Sequence, residues 1–111
     1  MPGTVKRIGP TALVATLTTT VYNQTSALLY DVLKHVEVTN KTATAATFTL
    51  YIGSSGANVA GTEWFTAISI PANQQFHWYG AKKIVTTDFI VGGASTSSAL
   101  VIQMESEQTV V

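Results

Sequence analysis

The chain contains no cysteine. That excludes disulfides, thiolate metal sites and a thiol nucleophile, and leaves stability to packing or assembly. Charge is scarce too: 11% of the residues are Asp, Glu, Lys or Arg, less than half the usual share of about 25%. Six basic residues balance six acidic ones, so no excess draws the chain to nucleic acid or to an anionic membrane. Lys6-Arg7 and Lys82-Lys83 are only pairs. No apolar run approaches the roughly 18 residues of a membrane-spanning helix, and Met1-Pro2-Gly3-Thr4 is no signal-peptide start, so folding in a cytoplasm is expected. Asn23-Gln24-Thr25 and Asn40-Lys41-Thr42 match the glycosylation sequon; without a secretion signal they read as turns.

Threonine and serine fill the polar positions, beside 46% hydrophobic residues. Hydroxyl side chains face water or a partner without the desolvation cost of a charge, so such a surface is readily buried against other proteins. At 111 residues the length suits one domain.

The organising stretch is His35 to Gly53. Val36 and Val38 alternate with Glu37 and Thr39; after the turn chemistry of Asn40, Lys41 and Thr42, Phe48, Leu50 and Ile52 alternate with Thr47, Thr49 and Tyr51. A period of two predicts strands with one apolar face, here a hairpin of two antiparallel strands that needs a second layer to cover it. Ser26 to His35 fits either a helical stripe or a strand, and strand is favoured. Continuing the inward set of Val36 and Val38 backward brings Lys34 in with Val32, which predicts either a bulge near Lys34 and His35 or an exposed strand end there. Further strands are expected within Thr11–Tyr22, Trp64–Ile70, Gln74–Gly80, Ile84–Val91 and Ala99–Glu105, separated by an exposed, mobile loop at Ser54–Thr62 and turns at Pro71-Ala72-Asn73 and Gly92–Ser98. Eight or so short strands and no long helix indicate one antiparallel β-sandwich, jelly-roll-like. Its expected limits are 11–106, with residues 1–10 an extended arm holding at most a brief strand and 107–111 a tail.

No catalytic motif is present. The candidate acid–base groups are His35, His77, Asp31, Glu37, Glu63 and Asp88, and none sits in a recognisable constellation. His35 and Glu37, two apart on one strand, share a face and could grip a metal, but two ligands at strand spacing read more simply as a solvated face or a sheet neighbour pair. His77, between Phe76 and Trp78, reads as a surface residue. GSSG and VGGAS lack the lysine and strand-to-helix context of a phosphate loop. No catalytic, cofactor-binding or metal residue is assigned, and no cofactor is expected. Trp64, Phe76 and Trp78 are expected in the core. Phe65 and Tyr79, of opposite parity, are expected to face outward, suiting a protein interface or a sugar-stacking platform.

Read together, LLYDVLKHVEVTNKTATAATFTLYIG, IPANQQFHWYG, DFIVGG and ALVIQMESEQ resemble the small all-β structural proteins encoded among head and tail genes of tailed bacteriophages. The shared features are a strand ending at Asn40 before a Thr/Ala-rich turn, the strand Phe48 to Gly53, the turn Ile70 to Ala72 and a late strand closing on Glu105. The resemblance spans most of Val5 to Glu107 and carries over no functional residue. It implies a non-enzymatic virion protein made in a bacterial host cytoplasm, foremost a capsid decoration or cement subunit that bridges major capsid proteins. A homo-oligomer, with a trimer favoured, is expected, with no nucleic acid or membrane partner. Val5, Lys6, Arg7 and Ile8 of the arm, Phe65, Tyr79 and the Ser54–Thr62 loop are the expected contact surfaces, and deletion of the arm is expected to leave the domain folded. The alternative is a neck, tail or tail-tip accessory protein that binds a carbohydrate or receptor.

Overall fold

The period-two alternation becomes strand wherever it is sustained, and no helix forms among the residues described by the computed structural model, 3–54 and 58–110. Eight strands follow in order: β1 (Thr4–Ala12), β2 (Thr19–Asn23), β3 (Leu29–Asn40), β4 (Ala46–Gly53), β5 (Glu63–Ile70), β6 (Gln75–Ile84), β7 (Phe89–Ala94) and β8 (Leu100–Val110). They build two antiparallel sheets, sheet A with the order β1-β8-β3-β6 and sheet B with the order β2-β7-β4-β5. Pairing is nested outward from the β4–β5 hairpin: β3 with β6, β2 with β7, β1 with β8. This is a ribbon doubled over at the loop after β4 and wrapped on itself, the jelly-roll form of the β-sandwich.

The His35–Gly53 hairpin does not form. β3 and β4 belong to different sheets, so Val36 and Val38 meet Phe48 and Leu50 across the core, all fully buried. The reason lies at the turn, where Asn40 is buried and saturated. Its Nδ2 donates to the carbonyls of Thr44 (2.9 Å) and Ile70 (3.0 Å), and its Oδ1 accepts from the Thr42 amide (2.9 Å) and hydroxyl (2.8 Å). This Asx turn lifts the chain from one sheet to the other; the turn read into Asn40-Lys41-Thr42 is there, but it makes an arch.

The expected arm is also corrected. β1 is a nine-residue edge strand of sheet A paired with β8, and Ile8 sits in the core at 5% exposure. Pro10 does not prevent this, because the β1–β8 register shifts between Ile8 and Thr11, a break in the ladder where a missing amide is tolerated. Likewise Glu107 to Val110 continue β8 and do not form a tail. Met1, Pro2, residues 55–57 of the expected mobile loop and Val111 lie outside the described residues.

Two of the register shifts set the facing of His35 and Glu37 and of Phe65. On β3 the register shifts between Leu33 and His35 against both β6 and β8, so Lys34 is the extra residue and its exposure follows. Leu33 and Val36 can then both be fully buried while His35 and Glu37 point outward. On β5, Phe48 faces Ile68 but Leu50 faces Phe65, so Thr66 and Ala67 oppose Thr49 alone. Ala67 takes φ 46°, and its amide donates to Thr49 Oγ1 at 3.0 Å. This bulge turns Phe65 inward, with its ring centroid 5.7 Å from Phe48, 5.6 Å from Phe76 and 6.3 Å from Trp78. The aromatic cluster closes the side of the sandwich where edge strands β5 and β6 meet. Gly80 helps: a Cβ there would come within 2.7 Å of the Trp78 ring.

One buried polar network crosses the sandwich. Asp31 of β3, fully buried, accepts from Tyr22 Oη (2.6 Å), Gln24 Nε2 (2.5 Å), Ser106 Oγ (3.1 Å) and Gln108 Nε2 (3.4 Å). Lys6 Nζ donates to Tyr22 Oη at 3.2 Å and lies 4.6 Å from the ring centroid. Burial first, then the hydrogen bond to Asp31 and its charge, push the Tyr22 phenol above its usual range.

Candidate functional site

The twelve charged residues are unevenly divided. Nine lie on the strands of sheet A, Lys41 and Asp88 lie in loops, and the strands of sheet B carry Glu63 alone. Both histidines are on sheet A. The outer face of sheet B presents Thr20, Thr47, Thr49, Tyr51 and Ser69. Two faces of different chemistry result, one hydroxylated and nearly uncharged, the other ionisable.

Register builds the ionisable face. Arg7, Glu105, His35 and Tyr79 stand opposite one another across β1, β8, β3 and β6, and the next outward row is Gln103, Glu37 and His77. Side chains directly opposite on one face are within contact range, so the two rows condense into a cluster. His35 Nδ1 lies 3.1 Å from Glu105 Oε1 and His35 Nε2 lies 3.0 Å from His77 Nδ1. His77 Nε2 lies 3.3 Å from Gln75 Oε1, and His77 Nδ1 lies 3.8 Å from Glu37 Oε2. Gln103 Nε2 donates to Glu37 Oε1 at 3.1 Å. The Tyr79 ring stacks on His35 at 4.5 Å and 9°, and the two imidazole planes are within 5° of each other. The ligand atoms of His35, Glu37 and His77 all lie within 4.8 Å of one another.

The adjoining cleft, lined by Arg7, His35, Glu37, Gln103, Met104 and Glu105, has a volume of about 180 Å3. That is below the 300–1,000 Å3 typical of small-molecule sites. The cluster therefore offers hydrogen bonding, ring stacking and metal ligation on an open sheet surface, without a chamber that encloses a substrate.

The residues singled out from sequence are dispersed. Val5 and Arg7 point outward from edge strand β1, while Lys6 and Ile8 point inward, one to Tyr22 and the other to the core. Phe65 is corrected from an outward to an inward position by the β5 bulge. Tyr79 is 72% exposed, as its parity requires, and stands in the cluster. His35 and Glu37 share a face as their spacing demands. Sequence reading missed His77 joining them, along with Glu105, Gln103 and Gln75. The outward parity of Gln75, His77 and Tyr79 was visible; the pairing of β6 with β3 was not.

No protein-family model matches the chain, and no curated protein matches it. Among solved structures, two crystal structures of a pentameric capsid protein isolated from metagenomic phage sequences, one phased by iodide SAD, are similar over 98% of this chain, each at 13% identity and a TM-score of 0.35. The chain spans 61% of the length of one and 64% of the other, less than two thirds of either.

Proposed function

We propose that the chain is a non-enzymatic structural protein of a phage virion, foremost a decoration subunit that bridges major capsid proteins through the outer face of sheet B. The observation that carries this reading is the segregation of charge: sheet B's strands hold one charged residue of twelve. Interface cores are depleted of charge, and threonine and serine hydroxyls lose little on burial when they find hydrogen-bond partners. Function would lie in being covered. Each contact is modest, but a subunit that touches two capsomers makes their separation cost several interfaces together, and many copies act at once. A homo-oligomer, foremost a trimer, would present several copies of this face to the shell at once.

Copy number tests this reading. Quantitative mass spectrometry of purified particles is expected to find several hundred copies of the chain per particle. Six or twelve would move it to the neck or tail, and none would refute a virion role.

A second reading rests on Tyr79, an exposed ring stacked on His35, with Glu37, Gln103 and Glu105 further along the same sheet face. A stacking platform next to hydroxyl-binding groups suits a saccharide, as a tail-tip accessory protein would need. Binding on a glycan array that is lost with Tyr79→Ala would favour it.

A further inference from the structure

We propose that His35, His77 and Glu37 bind a divalent transition-metal ion, Zn2+ by chemistry, through His35 Nε2, His77 Nδ1 and a Glu37 carboxylate oxygen. Each imidazole has a hydrogen-bond partner on the side away from the proposed ion. Glu105 offers only acceptors to His35 Nδ1 at 3.1 Å, so in the neutral ring that nitrogen carries the proton and Nε2 carries the lone pair. Gln75 Oε1 faces His77 Nε2 at 3.3 Å, which puts the proton on Nε2 and the lone pair on Nδ1. The two lone pairs then face each other across 3.0 Å, with the Glu37 carboxylate 3.8 Å from one of them. Three electron-rich atoms then converge on one point, which a cation satisfies, either a metal ion between them or a proton on one of the rings.

The geometry fits that cation. Zn–N bonds of about 2.0–2.1 Å at a tetrahedral angle separate two nitrogens by about 3.3 Å, so the imidazoles need to open by only a few tenths of an ångström. Each ligand has an outer partner that fixes it: Glu105 for His35, Gln75 for His77, and Gln103 for the second oxygen of Glu37. Such partners set tautomer and ring orientation in metal sites. Tyr79 holds the His35 ring plane by stacking. Glu37 and His77 are directly opposite on hydrogen-bonded strands, so the ligands sit on rigid elements. Two imidazoles and one carboxylate select zinc-like ions over Mg2+ or Ca2+, which prefer all-oxygen sets. The side chains are 19% (His35), 22% (Glu37) and 36% (His77) exposed, which leaves a fourth position for water. The bound ion would clip edge strand β6 to β3.

This inference stands apart from the virion reading and reverses the expectation of a merely solvated face. It has a defined rival. With the Gln75 amide turned over, His77 Nδ1–H donates to His35 Nε2, and the chain of hydrogen bonds is complete without metal.

The test is calorimetric titration of the full-length, EDTA-stripped chain with ZnCl2, with Co2+ as a spectroscopic probe. One equivalent is expected to bind, with Co2+ d–d bands of low-symmetry coordination and a higher melting temperature. His77→Gln and His35→Gln should each weaken binding at least tenfold, and Glu105→Gln by about 10–100-fold. All three should melt within a few degrees of the parent chain in EDTA, which separates lost ligation from lost folding. No binding at millimolar metal, or binding that survives His77→Gln and His35→Gln unchanged, overturns the proposal.

Discussion

Tyr22 on β2 and Asp31 on β3 are joined by a 2.6 Å hydrogen bond that runs from one sheet to the other. Asp31 also collects donors from Gln24, Ser106 and Gln108, so removing its carboxylate strands several buried donors at once. Such groups cost about 1–3 kcal/mol each when left unpaired. Asp31→Ala is expected to lower stability by on the order of 3–5 kcal/mol in urea denaturation, while Gln108→Ala, at the longest of the four contacts, costs about 1 kcal/mol.

The same pair sets an alkaline limit. The Tyr22 phenol is pushed above its ordinary 10.0 by burial and by Asp31, so the folded chain keeps a proton that the unfolded chain releases. Stability from this source is complete below about pH 10 and falls as pH rises beyond it. In Tyr22→Phe that loss is absent. The gap in melting temperature between the two chains should therefore narrow between pH 9 and pH 11; a constant gap would show that the phenol is not held in this way.

Phe65 and Tyr79 share a parity in the sequence and part company in the fold. Phe65→Ala is expected to cost about 2–4 kcal/mol, as a truncation inside an aromatic cluster. Tyr79→Ala should cost less than about 1 kcal/mol, as an exposed position. Urea melts of the two variants, measured side by side, check both figures.

These residues show what could be read from the sequence and what could not. Alternation at Val36/Val38, Phe48/Leu50 and Leu100/Ile102 was enough for an all-β sandwich, because burial acts on each strand locally. The parity conflict at Lys34 was local too and left two outcomes open, a bulge or an exposed strand end, of which the bulge formed. The β5 bulge left no such mark: Trp64 and Phe65 are both large and apolar, and either can face in. Pairing was hidden as well. The arch at Asn40 and a hairpin turn use the same residue types, and nothing local to His77 signals that β6 lies against β3. The candidate site therefore became visible only once the register was known.

Edge strand β1 gives a sharper contrast within four residues. Ile8→Ala, in the core, is expected to cost about 2–4 kcal/mol, whereas Val5→Ala, at 73% exposure, should stay within about 0.5 kcal/mol. Deleting residues 1–10 removes most of β1 and uncovers β8. The truncated chain is expected to melt well below the full chain by circular dichroism, in place of the unchanged stability a free arm would give.

The face of sheet B can be challenged by placing charge on it. Thr47 and Ser69 are directly opposite on β4 and β5, as Thr39 and Gln75 are on β3 and β6 of sheet A, so the two pairs make matched double variants to glutamate. Incorporation into particles, counted by mass spectrometry against the parent chain, measures which face is covered. Thr47→Glu with Ser69→Glu is expected to lower incorporation at least tenfold, while Thr39→Glu with Gln75→Glu leaves it within twofold and both variants remain folded. Equal incorporation of the two, or loss confined to the sheet A pair, would contradict this expectation.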